Sequence, residues 1–173
     1  NATSRNNRAD VTSVLLGPGV TAIDGYAFSG CANLASITIP TGVTSIEGWA
    51  FRGCTSLISL TLPDSVTRLG SQAFEGCVKL TSIGLGNGVT GLGESVFSGC
   101  TSLSSITLPA SITAIGPNAF LGCASLSGIV IPNSVTSIGS RAFADCHGLS
   151  SLTLGSAVTS IGQAAFARCK GLA

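Results

Sequence analysis

Residues 54–77 read Cys54-Thr55-Ser56-Leu57-Ile58-Ser59-Leu60-Thr61-Leu62-Pro63-Asp64-Ser65-Val66-Thr67-Arg68-Leu69-Gly70-Ser71-Gln72-Ala73-Phe74-Glu75-Gly76-Cys77. Leu60 and Leu62 alternate with polar Ser59 and Thr61, the two-residue period of a strand with one buried face. Leu57, three residues before Leu60, joins the buried set. Pro63-Asp64-Ser65 makes a turn. Val66 and Leu69 then point inward on a short second extended segment, with Thr67 outward. Gly70-Ser71 breaks that segment. Ala73, Phe74 and Cys77 have the spacing of a single helical turn, which Gly76 helps to end.

The same unit recurs along the chain. Cysteines stand at Cys31, Cys54, Cys77, Cys100, Cys123, Cys146 and Cys169, every interval being 23 residues. The phenylalanines Phe28, Phe51, Phe74, Phe97, Phe120, Phe143 and Phe166 keep the same step, and no Phe or Cys falls outside these two columns. A leucine column runs from Leu34 to Leu172, and an Ile/Leu column from Ile23 to Ile161. A fixed period in this range is the signature of a solenoid. One unit cannot bury its apolar face alone. Each buried Leu, Ile, Val or Phe contributes roughly 1.5–3 kcal/mol against backbone ordering of roughly 1–2 kcal/mol per residue. The balance turns favourable when neighbouring rungs share faces, so stability is cooperative along the stack.

The pattern Cys-x-x-Leu-x-x-Ile-x-Leu-Pro-x-x-Val-Thr-x-Ile-Gly-x-x-Ala-Phe-x-Gly resembles the BspA-like, or Treponema pallidum-type, leucine-rich repeat. One copy reads Cys77, Leu80, Ile83, Leu85, Val89-Thr90, Leu92-Gly93 and Val96-Phe97, with Gly86 in place of the usual Pro and Val96 in place of Ala. The resemblance covers Val11 to Leu172. It implies a repeat solenoid: a right-handed leucine-rich-repeat coil of seven 23-residue repeats, with a parallel β-sheet, short second strands and short helical turns. It also implies an extracellular or cell-surface protein concerned with adhesion and protein interaction. It supplies no catalytic motif. The expected organisation is a polar N-terminal arm or cap over residues 1–10 and a solenoid over residues 11–173.

Composition agrees with such a fold. Hydrophobic residues make up 45% of the chain and charged residues only 9%, which excludes a disordered polymer. The formal net charge is +1, so no long-range field points to nucleic acid. Gly, Ser, Thr or Pro interrupts every apolar stretch, so membrane insertion is not expected. The sequence holds no Met, which fits a processed, secreted chain or a fragment. Asn1-Ala2-Thr3 is an acceptor triplet, making Asn1 a candidate glycosylation site.

The odd number of cysteines in an extracellular chain raises the question of disulfides. Stacked residues have nearly parallel Cα–Cβ vectors, so their Cβ atoms lie about 4.8 Å apart rather than the ~3.8 Å of a bridge. A buried ladder of free thiols is therefore favoured. A linear column does not converge on a tetrahedral zinc site. No metal or other cofactor is expected.

Catalytic constellations are equally sparse. His147, the one histidine, occupies a variable surface column with Ala32, Thr55, Val78, Thr101, Ala124 and Lys170. Asp145 and Cys146 beside it do not make a dyad, since Cys146 belongs to the inward ladder. Asp24 and Glu47 share a column on adjacent rungs. Paired carboxylates of this kind suit a glycosidase or a calcium site, and equally two solvated surface acids. The chain is not expected to be an enzyme.

Three surface features remain. Tyr26 and Trp49 lie one repeat apart in a column continued by Gln72, Ser95, Asn118, Arg141 and Ala164. With Arg52, Asp24 and Glu47 close in sequence, they form a candidate contact for a protein or glycan ligand. Threonine fills the column from Thr21 to Thr159 without interruption, and a second hydroxyl array runs along the main sheet (Ser36, Thr38, Ser59, Thr61). Such arrays raise an alternative, binding to ice or another surface, although Thr suits exposed strands for ordinary reasons. Finally, Arg5 and Arg8 stand where Phe and Cys are expected, and the pattern stops just where another strand is due. Val11, Val14 and Leu16 at one end complement Cys169 and Leu172 at the other. A head-to-tail filament without a separate ligand is therefore a further alternative.

Overall fold

The computed structural model describes residues 8–172. Within them the chain winds as a three-sided coil. The first side is a row of parallel three-residue strands paired in three groups: Ser13–Leu15 with Ser36–Thr38; Ser59–Thr61, Ser82–Gly84 and Ser105–Thr107; and Gly128–Val130 with Ser151–Thr153. Its register advances by one repeat at each step, with Ile83 opposite both Leu60 and Ile106. Alternation puts Ile37, Leu60, Ile83 and Ile106 inward while their neighbours face solvent.

Two-residue strands build the second side, from Ala22–Ile23 to Ser160–Ile161, again in parallel register. Leu92 joins it through a single bridge to Ile115. As the sequence requires, Val66 and Leu69 are buried and Thr67 is exposed.

Tight turns form the third side. The helical turn expected around Ala73–Cys77 takes the form of linked turns closed between residues three apart. Glu75 N–H donates to Gln72 O, and Cys77 N–H to Phe74 O, both at 3.2 Å. The intervening N–H groups cross to the next rung instead, Phe74 to Val96 O at 2.9 Å and Gly76 to Ser98 O at 2.8 Å. Left-handed residues cause this alternation: Gln72 has φ 59° and Gly76 φ 72°, so a right-handed helix cannot propagate. Every rung repeats the device. The column of Tyr26, Trp49, Gln72, Ser95, Asn118, Arg141 and Ala164 has φ between 54° and 61°.

Inside the coil, Phe51, Phe74, Phe97, Phe120 and Phe143 are fully buried. Their rings stack from rung to rung, with Phe51 and Phe74 centroids 5.2 Å apart and the planes 1° from parallel. Such pairs contribute about 0.5–1.5 kcal/mol beyond their burial. All seven cysteines are buried free thiols. From Cys54 onward each Sγ–H donates to the carbonyl of the Phe one rung before, for example Cys77 to Phe51 O at 3.2 Å. The column is thus a hydrogen-bonded ladder as well as an apolar one.

At the start of the described chain, Arg8–Asp10 forms a 3-10 helix. Arg8 stands where later rungs have Cys, and its guanidinium donates to two carbonyls of the first turn side: Ser29 O, which accepts no other hydrogen bond among the described residues, at 2.5 Å, and Tyr26 O, which also accepts Ser29 N–H, at 3.0 Å. The candidate glycosylation site Asn1 lies outside the described residues, as does Arg5.

Two stability predictions test this architecture by chemical denaturation. Replacing Phe97 with Ala should cost about 3–5 kcal/mol, because neighbours above and below cannot both collapse into the space. Gly99→Ala should cost about 1 kcal/mol, since Gly99 has φ 72°, whereas Ala164→Gly, at φ 56°, should leave stability unchanged or raise it.

Candidate functional site

On the turn side of the first two rungs the sequence departs from the later repeat. The segments Ile23-Asp24-Gly25-Tyr26 and Ile46-Glu47-Gly48-Trp49 put an acid before the glycine, while the next rung reads Leu69-Gly70-Ser71-Gln72. Gly70 has no room for a side chain, because a Cβ there would lie 2.3 Å from Gly48 N. The acidic version is therefore restricted to rungs not pressed so closely against the rung before.

Tyr26 and Trp49 are brought together as the sequence predicts. Their ring centroids lie 4.9 Å apart and their planes are 5° from parallel. Each ring leaves the backbone at a left-handed residue whose N–H is tied to the next rung, Tyr26 to Gly48 O at 3.2 Å and Trp49 to Ser71 O at 3.1 Å. The stack is fixed at both backbone anchors. Tyr26 is 51% exposed, so one face of the stacked pair is open to a partner.

The charged neighbours divide differently from the sequence expectation. Arg52 does not join Asp24 and Glu47. Its Nε donates to Glu75 Oε2 on the following rung at 2.7 Å. Glu47 faces Arg68, whose Nη2 lies 3.6 Å from Oε2. Both pairs are exposed, so each is worth only about 0–1 kcal/mol. Asp24 is exposed and belongs to neither pair. The reason for the exchange is geometric: a side chain on this coil meets the next rung more readily than a neighbour in its own rung. The 23-residue interval from Arg52 to Glu75 carries the signal of this pair in the sequence.

The remaining titratable groups do not converge. Asp145 forms a two-point pair with Arg168, both contacts at 2.5 Å. That guanidinium, by hydrogen bond first and charge second, holds the Asp145 carboxyl below its ordinary range. His147 Nδ1 lies 2.9 Å from Arg168 O. Cys146 points inward to Phe120 O at 3.1 Å. Asp145 and His147 thus both address Arg168, through its guanidinium and its carbonyl, while Cys146 turns away to Phe120. Among the described residues, no group of three or more His, Cys, Asp or Glu side chains could hold a metal ion.

The uninterrupted threonines of the second side are engaged with the backbone. Thr44, Thr67, Thr113, Thr136 and Thr159 each donate Oγ1–H to the threonine carbonyl one rung before, for instance Thr44 to Thr21 O at 3.2 Å.

A parallel coil with a buried Leu/Ile spine, in which each rung adds one short strand to the first side, defines a leucine-rich-repeat scaffold. The model of the BspA type leucine rich repeat region matches residues 6–126 and 50–173, in six copies. The chain belongs to this family. Its fold is similar to the crystal structure of a leucine-rich-repeat protein of T. pallidum, at 32% identity, TM-score 0.90, over 94% of this chain and 78% of that one. It is also similar to a leucine rich cell surface protein of Faecalibacterium prausnitzii, at 34% identity, TM-score 0.67, over 83% of this chain and 48% of that one. A leucine-rich repeat protein of Eubacterium ventriosum aligns at 29% identity, TM-score 0.85, over 91% of this chain and 42% of its own length. The chain therefore spans less than half of the latter two proteins. No curated protein sequence matches it. Among the described residues, no helix is long and apolar enough to cross a membrane.

Burial raises the thiol ladder far above the ordinary cysteine range. Desolvation first, and the neighbouring thiols second, push Cys54 and Cys146 up to about 12; for Cys100 desolvation alone does the same. An unfolded chain would release these protons near pH 9. The folded form holds more protons between the two values, so stability present below about pH 9 should fall as pH rises toward 12. Denaturation midpoints measured from pH 8 upward should decline, and a Cys100→Ala variant should show a shallower decline. Thiol reagents at pH 8 should label the inner cysteines only after unfolding.

Proposed function

We propose that the chain is an extracellular adhesion scaffold that engages a protein partner through the Tyr26–Trp49 stack. The carrying observation is the stack itself: two large rings held parallel at 4.9 Å, with Tyr26 half exposed, on a coil whose other aromatic rings form the internal Phe column. Aromatic side chains with a polar handle are favoured anchors at interfaces, where rigid placement lowers the ordering cost of binding. Asp24, two residues before Tyr26 and outside the ion pairs, favours a partner that presents a cationic side chain there. The cell-surface description of the Faecalibacterium relative supports an extracellular setting.

Head-to-tail association is a second reading, favoured by one observation. Leu154 and Ile161 are 42% and 49% exposed, whereas Ile131 and Ile138 one rung earlier are 1% exposed. Val11, Val14 and Leu16 at the opposite end are only partly buried. A second copy stacked in register presents the matching pattern to Cys169 and Leu172 and would extend the coil into a filament.

The primary reading is tested by retention of the purified chain on immobilised extracellular-matrix proteins. The double variant Tyr26→Ala/Trp49→Ala should weaken retention by about 2 kcal/mol or more while leaving the melting temperature almost unchanged. Equal retention of both forms would reject the stack as the contact. Filaments in electron micrographs of the unmodified chain, lost on Leu154→Glu, are the expected outcome of the second reading; single particles at every concentration would exclude it.

A further inference from the structure

Two columns of the turn side change character in the last two described rungs. The first holds Gly30, Gly53, Gly76, Gly99 and Gly122, then Asp145 and Arg168; the second holds Ala32, Thr55, Val78, Thr101 and Ala124, then His147 and Lys170. Uncharged places thus become ionisable ones in a block two columns wide and two rungs deep. Arg141 precedes it on the same side of the coil. Between Glu94 and Arg141 the sequence has no Asp, Glu, Lys, Arg or His, and residues 148–167 have none either. The charges of this half of the chain are gathered in one place. They share no reacting point, but they do share an open face.

The change has a conformational cost. Asp145 and Arg168 have φ 63° and 59°, in a column where Gly99 and Gly122 take 72° and 73° without penalty. An exposed ion pair returns no more than that cost, so the pair alone does not account for the exchange. What the pair does is hold a cation ready. Arg168 donates Nε–H and Nη2–H to the Asp145 carboxylate, and its carbonyl oxygen accepts Nδ1–H of His147 at 2.9 Å. A guanidinium has five N–H donors, so more remain beyond these two bonds for a further anion. Arg141, Arg168 and Lys170 are exposed, while Asp145 is half-buried. The Asp145 carboxyl, held below its ordinary range first by the hydrogen bond from Arg168, also feels the positive charge of Arg141. Three cations therefore stand against one carboxylate.

We infer that this face binds an anionic polysaccharide, whose carboxylate or sulfate groups sit on Arg168, Lys170 and Arg141. Charge-assisted hydrogen bonds from a guanidinium suit such forked oxygen groups, and a cation already fixed at its side chain and its backbone loses little freedom on binding. A protein interface needs a desolvated apolar centre. Among the described residues, none of the large exposed apolar side chains lies within 141–148 or 163–171. A nucleic acid needs a longer basic track than this, and the net charge of the chain is only +1. A polysaccharide with spaced charges needs few cations at any one place, and its repeats add weak contacts together. The face lies on the last two described rungs, the Tyr26–Trp49 stack on the first two, and neither site depends on the other.

Retention of the purified chain on immobilised dextran sulfate, carboxymethyl dextran and plain dextran tests this, and separates the two anions on one sugar backbone. Retention on at least one charged form, none on plain dextran, and release as salt screens the charges are expected. Arg168→Gly/Lys170→Ala returns both positions to residues of the earlier rungs and should weaken retention at least about tenfold with no loss of melting temperature. Arg52→Ser/Lys79→Ser removes the same charge elsewhere and should be retained like the parent, as should Tyr26→Ala/Trp49→Ala. The inference is overturned if plain dextran retains the chain equally, if neither charged dextran retains it, or if the two charge-removing variants lose retention alike, the mark of ion exchange by net charge. Unchanged retention of the folded Arg168→Gly/Lys170→Ala form, or retention on immobilised DNA and on neither charged dextran, overturns it as well.

Discussion

Everything in this coil depends on equivalent inward side chains lying over one another. A ring at Phe74 has Phe51 on one side and Phe97 on the other, at 5.2 and 5.7 Å. Neither face of the ring has any other partner of comparable size. From Phe28 and Cys31 onward, phenylalanine and cysteine fill their columns in every rung. Substitution is tolerated where branched aliphatics meet, as in the Ile/Leu column, because these shapes interdigitate at similar volume. The core is therefore continuous along the axis, and no rung owns a separable share of it.

That constraint explains what was legible in the amino acids. The period, the strand positions and the inward set follow from identity at fixed intervals, and Leu60, Val66, Leu69 and Phe74 are all buried where the pattern puts them. The turn side was harder to read. Its outward column is variable, from Tyr26 to Ala164, yet its backbone is uniformly left-handed. Side-chain identity carries no trace of that conformation, since only Asn118 among them is a residue that favours it. Inter-rung hydrogen bonds impose it. The glycines four positions later did carry the signal, and were open to a reading as helix terminators.

Polar residues on the surface obey the same geometry. Arg52, Arg68 and Arg168 each find an acid on an adjacent rung, at Glu75, Glu47 and Asp145. The hydroxyls of Thr44 and Ser104 find carbonyls there too. Contacts one repeat apart outnumber those between sequence neighbours because the rung spacing of about 4.8 Å is shorter than the roughly 6.6 Å between same-face neighbours along an extended strand. Candidate sites on such a surface are thus read down columns. The Tyr26–Trp49 pair was visible for that reason, and the Arg52–Glu75 pair is read in the same way.

The hydrogen bonds between rungs on the turn side share one sense: Phe51 N–H reaches forward to Ala73 O and Phe74 N–H to Val96 O. The second side mixes both, Thr67 N–H reaching back to Thr44 O and Leu92 N–H forward to Ala114 O. Like any sheet, the second side therefore carries little net dipole, while the peptide dipoles of the turn side add along the axis as those of an α-helix do. The carbonyls of that array point toward the first rung. Arg8 places its guanidinium there, on Ser29 O, so the cation meets the negative end of the array.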